Sequence, residues 1–344
     1  MGLSVALVST WKQRCGVANY SENLANALAK QGVNVYVVRI PRFGYKDAKI
    51  FQNIIDVIPL DKVQIIHVQH EYGLYSGLDK NFFPTLKKLG KPIVTTMHSV
   101  GNWEIDPIIA TVSNKVIVHN EFCHRRLGDI GEVCVIPHGM TPLQTPLPPR
   151  EVCRKHMGIQ SGVSIVGYLG FISSYKGLET LIEAMVKVPN VALLIGGGWF
   201  IEQETDYIIN LKERASKLLP NRCQWLGYVP DDDMNMVYGA MDMVVYPSRF
   251  MTESGALLMA LSRGKAVIAT DLAPVREKAK QGTLMTFKSV NDLTKKIKHL
   301  ISNPDLRQKF EDAATKFTEE NSWSPNIAQK HIELYENLVA VKPN

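Results

Sequence analysis

The chain has 344 residues, 45% of them hydrophobic and 21% charged, with a formal net charge of +6. That composition excludes a disordered, collagenous or low-complexity protein, and the length suits two domains, each with its own core. No apolar run reaches the roughly 18 residues that span a bilayer, and the mild positive charge suits an anionic ligand or anionic membrane surface but falls short of a nucleic-acid footprint.

The chain opens MGLSVALVST and enters a strand pattern at once, without a basic leader region, so a signal peptide is not expected. Cys15, Cys123, Cys134, Cys153 and Cys223 are odd in number, widely spaced and free of any C-x-x-C pair. That pattern points to a reducing cytoplasm rather than a disulfide framework or zinc site.

Strand patterns follow at 4–9, 33–39, 65–69, 93–96, 115–119 and 134–137. Between them lie amphipathic helical patterns such as 19–31, where Tyr20, Leu24, Ala27 and Leu28 recur at helical spacing and Gly32 ends the run. The stretch 141–150, TPLQTPLPPR, is an extended connector, because proline fixes φ and cannot feed a sheet. The pattern then restarts, with strands at 164–169, 191–195, 224–226, 243–246, 266–269 and 284–286 and helices at 177–187 and 255–263. Near-continuous apolar strands separated by helices indicate parallel sheets covered on both faces. The fold class is therefore α/β, with two Rossmann-like, doubly wound domains in tandem. Their strand C-termini are expected to line a cleft that takes a small anionic ligand.

Several stretches at those strand ends carry chemistry. STWKQRCGVANY (9–20) links the first strand to the first helix, where Gly16, followed by Val17, lets the backbone approach a ligand and the free amides of the helix start make an anion site, with an ordinary strand–helix turn as the alternative. His70 and Glu71 close one strand and His98 the next. His67 and His70 fall on opposite faces of their strand, so a metal pair is not expected. In YLGFISSYKGLE (168–179), Gly170 and Phe171 precede Lys176 at a helix start, a combination suited to a diphosphate. Gly196, Gly197 and Gly198 would let a flat ligand pass close to the backbone. Asp231, Asp232 and Asp233 read as an N-cap favoured by the helix dipole rather than as a metal site. In YPSRFMTESGALLMALSRGKAVIATD (246–271), Arg249, Glu253, Ser254 and Gly255 sit at another helix start. There a carboxylate can bond sugar hydroxyls while amides face an anion.

Taken in order and spacing, these stretches resemble the retaining glycosyltransferases of the GT-B fold, specifically the large family four of mannosyl-, glucosyl- and N-acetylglucosaminyl-transferases. VTTMHSV (94–100) is similar to that family's strand-end histidine motif and VIPHGM (135–140) to the strand entering its linker. YLGFISSYKGLETLIEAM (168–185) resembles the donor-phosphate motif, and LGYVPDDDMNMVYGAMDMVVYPS (226–248) the base-binding segment. NSWSPNIAQKHIELYENL (321–338) is similar to the final helix that crosses back to the first domain. VQHEYGLY (68–75) resembles a bacterial subgroup. The implied domains are 1–145 on the acceptor side, 146–320 for the nucleotide sugar, and 321–344 as the returning helix.

The resemblance implies a transferase that moves a hexosyl residue, with retention, from a nucleotide-diphosphate sugar to a glycan, lipid-linked or other acceptor. Lys176 would neutralise the departing diphosphate, helped by amides near Gly16, Gly170, Ser254 and Gly255. Glu253 would grip sugar hydroxyls, His98 would bond the sugar from the other domain, and Tyr228 and Val229 would hold the base by their main chain. No metal would be needed, and a cytoplasmic location with peripheral membrane contact is expected. Two departures stand out. Anchored on Gly264, the family's paired glutamates fall at Met251 and Met259, with Glu253 two residues late. The family's phosphate arginine is Phe171, which leaves Arg249 to compensate. A sugar-nucleotide epimerase and a non-catalytic scaffold of the same fold remain as other readings.

Overall fold

The computed structural model describes residues 2–41, 48–75, 77–102, 104–159, 162–198 and 206–340. The chain divides into two units, Met1–Gly139 with Asn321–Asn344, and Met140–Glu320.

In unit 1, runs of Val, Ile and Leu form six parallel strands: β1 (Ser4–Ser9), β2 (Asn34–Arg39), β3 (Ile65–His70), β4 (Ile93–Met97), β5 (Lys115–Val118) and β6 (Val133–Val135). Their order across the sheet is β2-β1-β3-β4-β5-β6. Side chains alternate between its faces. Ala6, Val8, Ile66 and Val68 pack with Phe51 and Phe82 on one side. Val5, Leu7 and Ile65 pack on the other with Tyr20 and Leu24 of the first helix, Gly16–Lys30, and with Ile332 and Tyr335 of the final helix, Ala328–Ala340. The end of the chain thus completes one face of unit 1.

Unit 2 is a second six-stranded parallel sheet, with β7 (Ser164–Leu169), β8 (Val191–Gly196), β9 (Cys223–Gly227), β10 (Met243–Tyr246), β11 (Ala266–Thr270) and β12 (Met285–Phe287), but in a different order, β12-β11-β10-β7-β8-β9. One continuous apolar core fills this unit. At the N-terminal ends of its strands, buried Asp242 accepts from Arg154 Nη2 and from the Ile165 amide, both at 2.7 Å. The carboxylate is therefore paired and hydrogen-bonded, as burial of a charge requires. All twelve expected strands form, with ends shifted by no more than two residues.

Two local expectations need correction. The first helix starts at Gly16 rather than Asn19, because Val17 and Ala18 also bury against the sheet and add a turn. Gly32 does end it, with φ +85° and its amide on the Ala29 carbonyl. Asp231–Asp233 form a 3-10 turn, and no side-chain cap bond reaches the following helix, Met234–Ala240. The aspartates can favour that helix through its dipole but do not cap it.

Candidate active site

In unit 2 the functional side chains follow the C-terminal ends of β7 and β10. After β7 the chain makes a 3-10 turn, Ser174–Lys176, and enters the helix Leu178–Val186. Tyr168 donates its hydroxyl to the Phe171 carbonyl at 2.7 Å, and the Ile172 amide bonds the Gly198 carbonyl. These bonds hold the loop against the end of β8. Gly177 has φ +66°, and a Cβ there would lie 2.3 Å from the Pro247 carbonyl oxygen. Only glycine lets the loops after β7 and β10 approach this closely. The Arg249 amide donates to the Tyr175 carbonyl at 2.8 Å and joins the same two loops.

Lys176 Nζ lies 4.7 Å from the Tyr175 ring centroid and has no ion-pair partner among the described residues. Arg249, by contrast, sits 3.3 Å from Glu179. Its guanidinium is on the loop where compensation for Phe171 was expected, but its charge is already shared with a carboxylate. Phe171 is 37% exposed at the β7 end.

The helix Gly255–Ser262 follows β10. An α-helix leaves its first amides without intrahelical partners. Here the Ser254 amide donates to Glu253 Oε1 at 2.9 Å and the Leu257 amide to Ser254 Oγ at 3.2 Å. The Gly255 and Ala256 amides have no hydrogen-bond partner among the described residues. Nothing lies within 4 Å of a Cβ built on Gly255, so the approach is open. Two unused amides and a lysine thus follow adjacent strand ends, and these are donor types that suit an anion.

Two site expectations change with this geometry, those for Glu253 and Gly197. Glu253 is buried and occupied inside the unit, since Oε2 pairs with Lys278 Nζ at 2.8 Å while Oε1 takes the Ser254 amide. Met251 is buried and Met259 packs on the core, so neither family glutamate position faces an open site. Gly197 answers to packing: its φ is +138° and a Cβ would lie 1.8 Å from the Gly170 carbonyl oxygen. At the end of β9, Val229 is buried against Gly196, and Tyr228 is half exposed. Among the described residues no group of three or more His, Cys, Asp or Glu is placed to hold a metal ion.

In unit 1 the first helix also starts open. Cys15 makes no side-chain cap bond, there is no acid in the first turn, and the Gly16, Val17 and Ala18 amides have no partner among the described residues. Val17's side chain is buried, so only its amide can serve a ligand.

At the end of β4, His98 Nε2 lies 3.0 Å from Gln69 Oε1. Gln69 Nε2 lies 3.1 Å from His67 Nε2, which also meets the Thr96 hydroxyl at 2.8 Å, and His67 Nδ1 meets the Tyr335 hydroxyl at 2.6 Å. With the Gln69 amide assigned in this orientation, His98 donates from Nε2, and His67 accepts at Nε2 and carries its proton on Nδ1. Burial holds both imidazoles well below the usual histidine pKa, and for His98 the neighbouring His119 and His138 add to the effect. Both rings are therefore neutral at pH 7. Tyr20 stands edge-on to His98 at 4.7 Å, to His138 at 5.0 Å and to Trp323 at 4.9 Å.

His70 does not join this group. It faces the opposite side of the sheet, fully buried, with Nε2 3.2 Å from Asp79. Glu71 turns back onto the Gly73 amide at 2.9 Å. Gln69, His67, Tyr335 and Lys278 were not read as site-related from sequence. Histidines at successive strand ends, His98 and His119, were the available signal.

Residues 149–317 match the family model described as glycosyl transferases group 1. The match lies within unit 2 and covers about half of the chain. The chain is 29% identical over 128 residues to mannosylfructose-phosphate synthase of Agrobacterium fabrum, covering 35% of this chain and 28% of that one. It is 23% identical over 302 residues to lipopolysaccharide 1,2-N-acetylglucosaminetransferase of Salmonella typhimurium, covering 83% and 76%. Against several other curated relatives the matched region spans less than half of their length. The fold matches sucrose-phosphate synthase from Thermosynechococcus elongatus with a TM-score of 0.82 at 18% identity, covering 99% of this chain and 100% of that one. It also matches Anabaena HepE, solved with UDP and glucose, with a TM-score of 0.78 at 16% identity, covering 97% and 100%. Among the described residues no helix is long and apolar enough to cross a membrane.

Proposed function

We propose that the chain transfers a hexosyl group, with retention, from a nucleoside-diphosphate sugar to a hydroxyl of a carbohydrate or lipid-linked acceptor. The observation that carries this reading is the pairing of Lys176, without an anionic partner among the described residues, with the unused Gly255 and Ala256 amides. In the reaction the bond from the anomeric carbon to the diphosphate oxygen breaks, and its electron pair leaves on the diphosphate. The acceptor oxygen forms the new bond, and its proton departs with the leaving group. Fixed positive charge at the developing anion is the largest contribution a protein makes to such a step. Lys176 and the amides supply it, so the reading needs no metal ion. The base rests at Tyr228 and Val229, and the neutral imidazole of His98 in unit 1 suits a hydroxyl partner. Uridine diphosphate is the first nucleotide to test, since HepE was solved with it. The Salmonella relative's name supports a lipopolysaccharide-type acceptor.

The test is product analysis with a panel of nucleotide sugars, with and without glycan acceptors. Acceptor-dependent release of the nucleoside diphosphate is expected, with a reduced rate in Lys176→Ala. An epimerised sugar nucleotide formed without acceptor, or no turnover with any donor, overturns the reading.

A further inference from the structure

Glu253 stands immediately before the N-cap Ser254, at the helix start that the proposed function gives to a diphosphate. An uncompensated carboxylate there would repel the ligand, because like charges a few ångströms apart in partly buried surroundings interact strongly. Its charge is matched from another element. Lys278, on the helix Ala273–Ala279 that follows β11, brings its ammonium to 2.8 Å from Glu253 Oε2, with both side chains no more than 10% exposed. Glu253 Oε1 then holds the Ser254 amide, and Ser254 Oγ holds the Leu257 amide. The series Lys278–Glu253–Ser254–Leu257 occupies two of the four first-turn amides and leaves Gly255 and Ala256 for an anion.

We propose that Lys278 is a positioning residue of the diphosphate site, which cancels the Glu253 charge and fixes the loop so that the two remaining amides receive a phosphate. The proposal rests on the diphosphate reading above. In it the carboxylate braces the loop rather than gripping sugar, and the ammonium behind it makes the brace compatible with an anionic ligand.

Isothermal titration with uridine, uridine monophosphate and uridine diphosphate tests this on the full chain, native and as Lys278→Met, Lys278→Arg and the double variant Lys278→Met/Glu253→Gln. Lys278→Met is expected to weaken the diphosphate by about tenfold or more, the monophosphate by less, and uridine not at all, because the repulsion scales with ligand charge. Lys278→Arg is expected to bind like the native chain, and the double variant to recover most of the loss, since removing both charges removes the repulsion. If Lys278→Met does not fold, Glu253→Gln alone, which leaves the ammonium in place, is expected to tighten the diphosphate. Unchanged diphosphate binding in Lys278→Met, an equal loss for all three ligands, a loss that the double variant retains, or weaker binding in Glu253→Gln overturns the proposal alone. A native chain that binds none of the three overturns the diphosphate reading as well.

Discussion

The two units are each built on a six-stranded parallel sheet, with different strand orders, and finish their strands in opposite ways. In unit 1 the ends of β4 and β5 carry His98 and His119, and burial holds His98 neutral within a chain of hydrogen bonds that reaches the final helix. In unit 2 the ends of β7 and β10 carry Lys176 and open amides. One end suits hydroxyl groups that exchange neutral hydrogen bonds, and the other suits a multiply charged anion. Parallel sheets therefore provide two chemistries, because the strands fix positions while the residues after them set the charge.

The largest effect expected from breaking this contrast comes from Lys176→Ala. Losing a charge-assisted contact to a diphosphate costs about 1.5–3 kcal/mol, or roughly tenfold to a hundredfold in kcat/KM. Steady-state kinetics checks it, with the melting temperature expected to stay native because the side chain has no ion-pair partner to lose. His98→Ala is expected to act mainly on turnover with weaker dependence on salt, since its contact is neutral.

Acid sharpens the contrast next. Burial lowers the His331 pKa to about 4, below the unfolded value near 6.5. The unfolded chain then takes a proton that the folded unit refuses, so the stabilisation is full above pH 6.5 and is lost as pH falls towards 4. That difference amounts to about 3 kcal/mol, and the lowered pKa values of His67 and His98 act with the same sign. In unit 2 burial raises the Glu311 pKa, so its folded form holds a proton more tightly and gains stability as pH falls through that range. Hydrogen exchange by mass spectrometry at pH 7 and pH 5 is expected to show unit 1 loosening first. Equal loosening of both units would contradict this.

Tyr335→Phe removes one hydrogen bond to buried His67 and is expected to cost about 1–2 kcal/mol, read by denaturant titration. Ser254→Ala removes the cap on Leu257 and is expected to cost about 1 kcal/mol. The smallest effect is reserved for a chelator, which is expected to leave transfer unchanged, as the charge is met by Lys176 and amides.

The strands were legible because their apolar runs are local patterns, and the Gly32 stop was legible because it needs only its own φ. The roles of Glu253, His70 and Gly197 were not. Each is decided by a partner far along the chain: Lys278, Asp79 and the Gly170 carbonyl. A carboxylate at a helix start looks the same in sequence whether it meets a sugar or an ammonium. Gln69 was hidden for the same reason, since a buried amide gains meaning only when sheet pairing brings His67 and His98 to it.

The central claim is that the second unit holds the leaving diphosphate. A crystal structure of the chain soaked with uridine diphosphate tests it most directly. A phosphate oxygen within hydrogen-bond distance of Lys176 Nζ and of the Gly255 or Ala256 amide is the predicted result. A well-ordered diphosphate bound elsewhere, with those donors still unused, would contradict it.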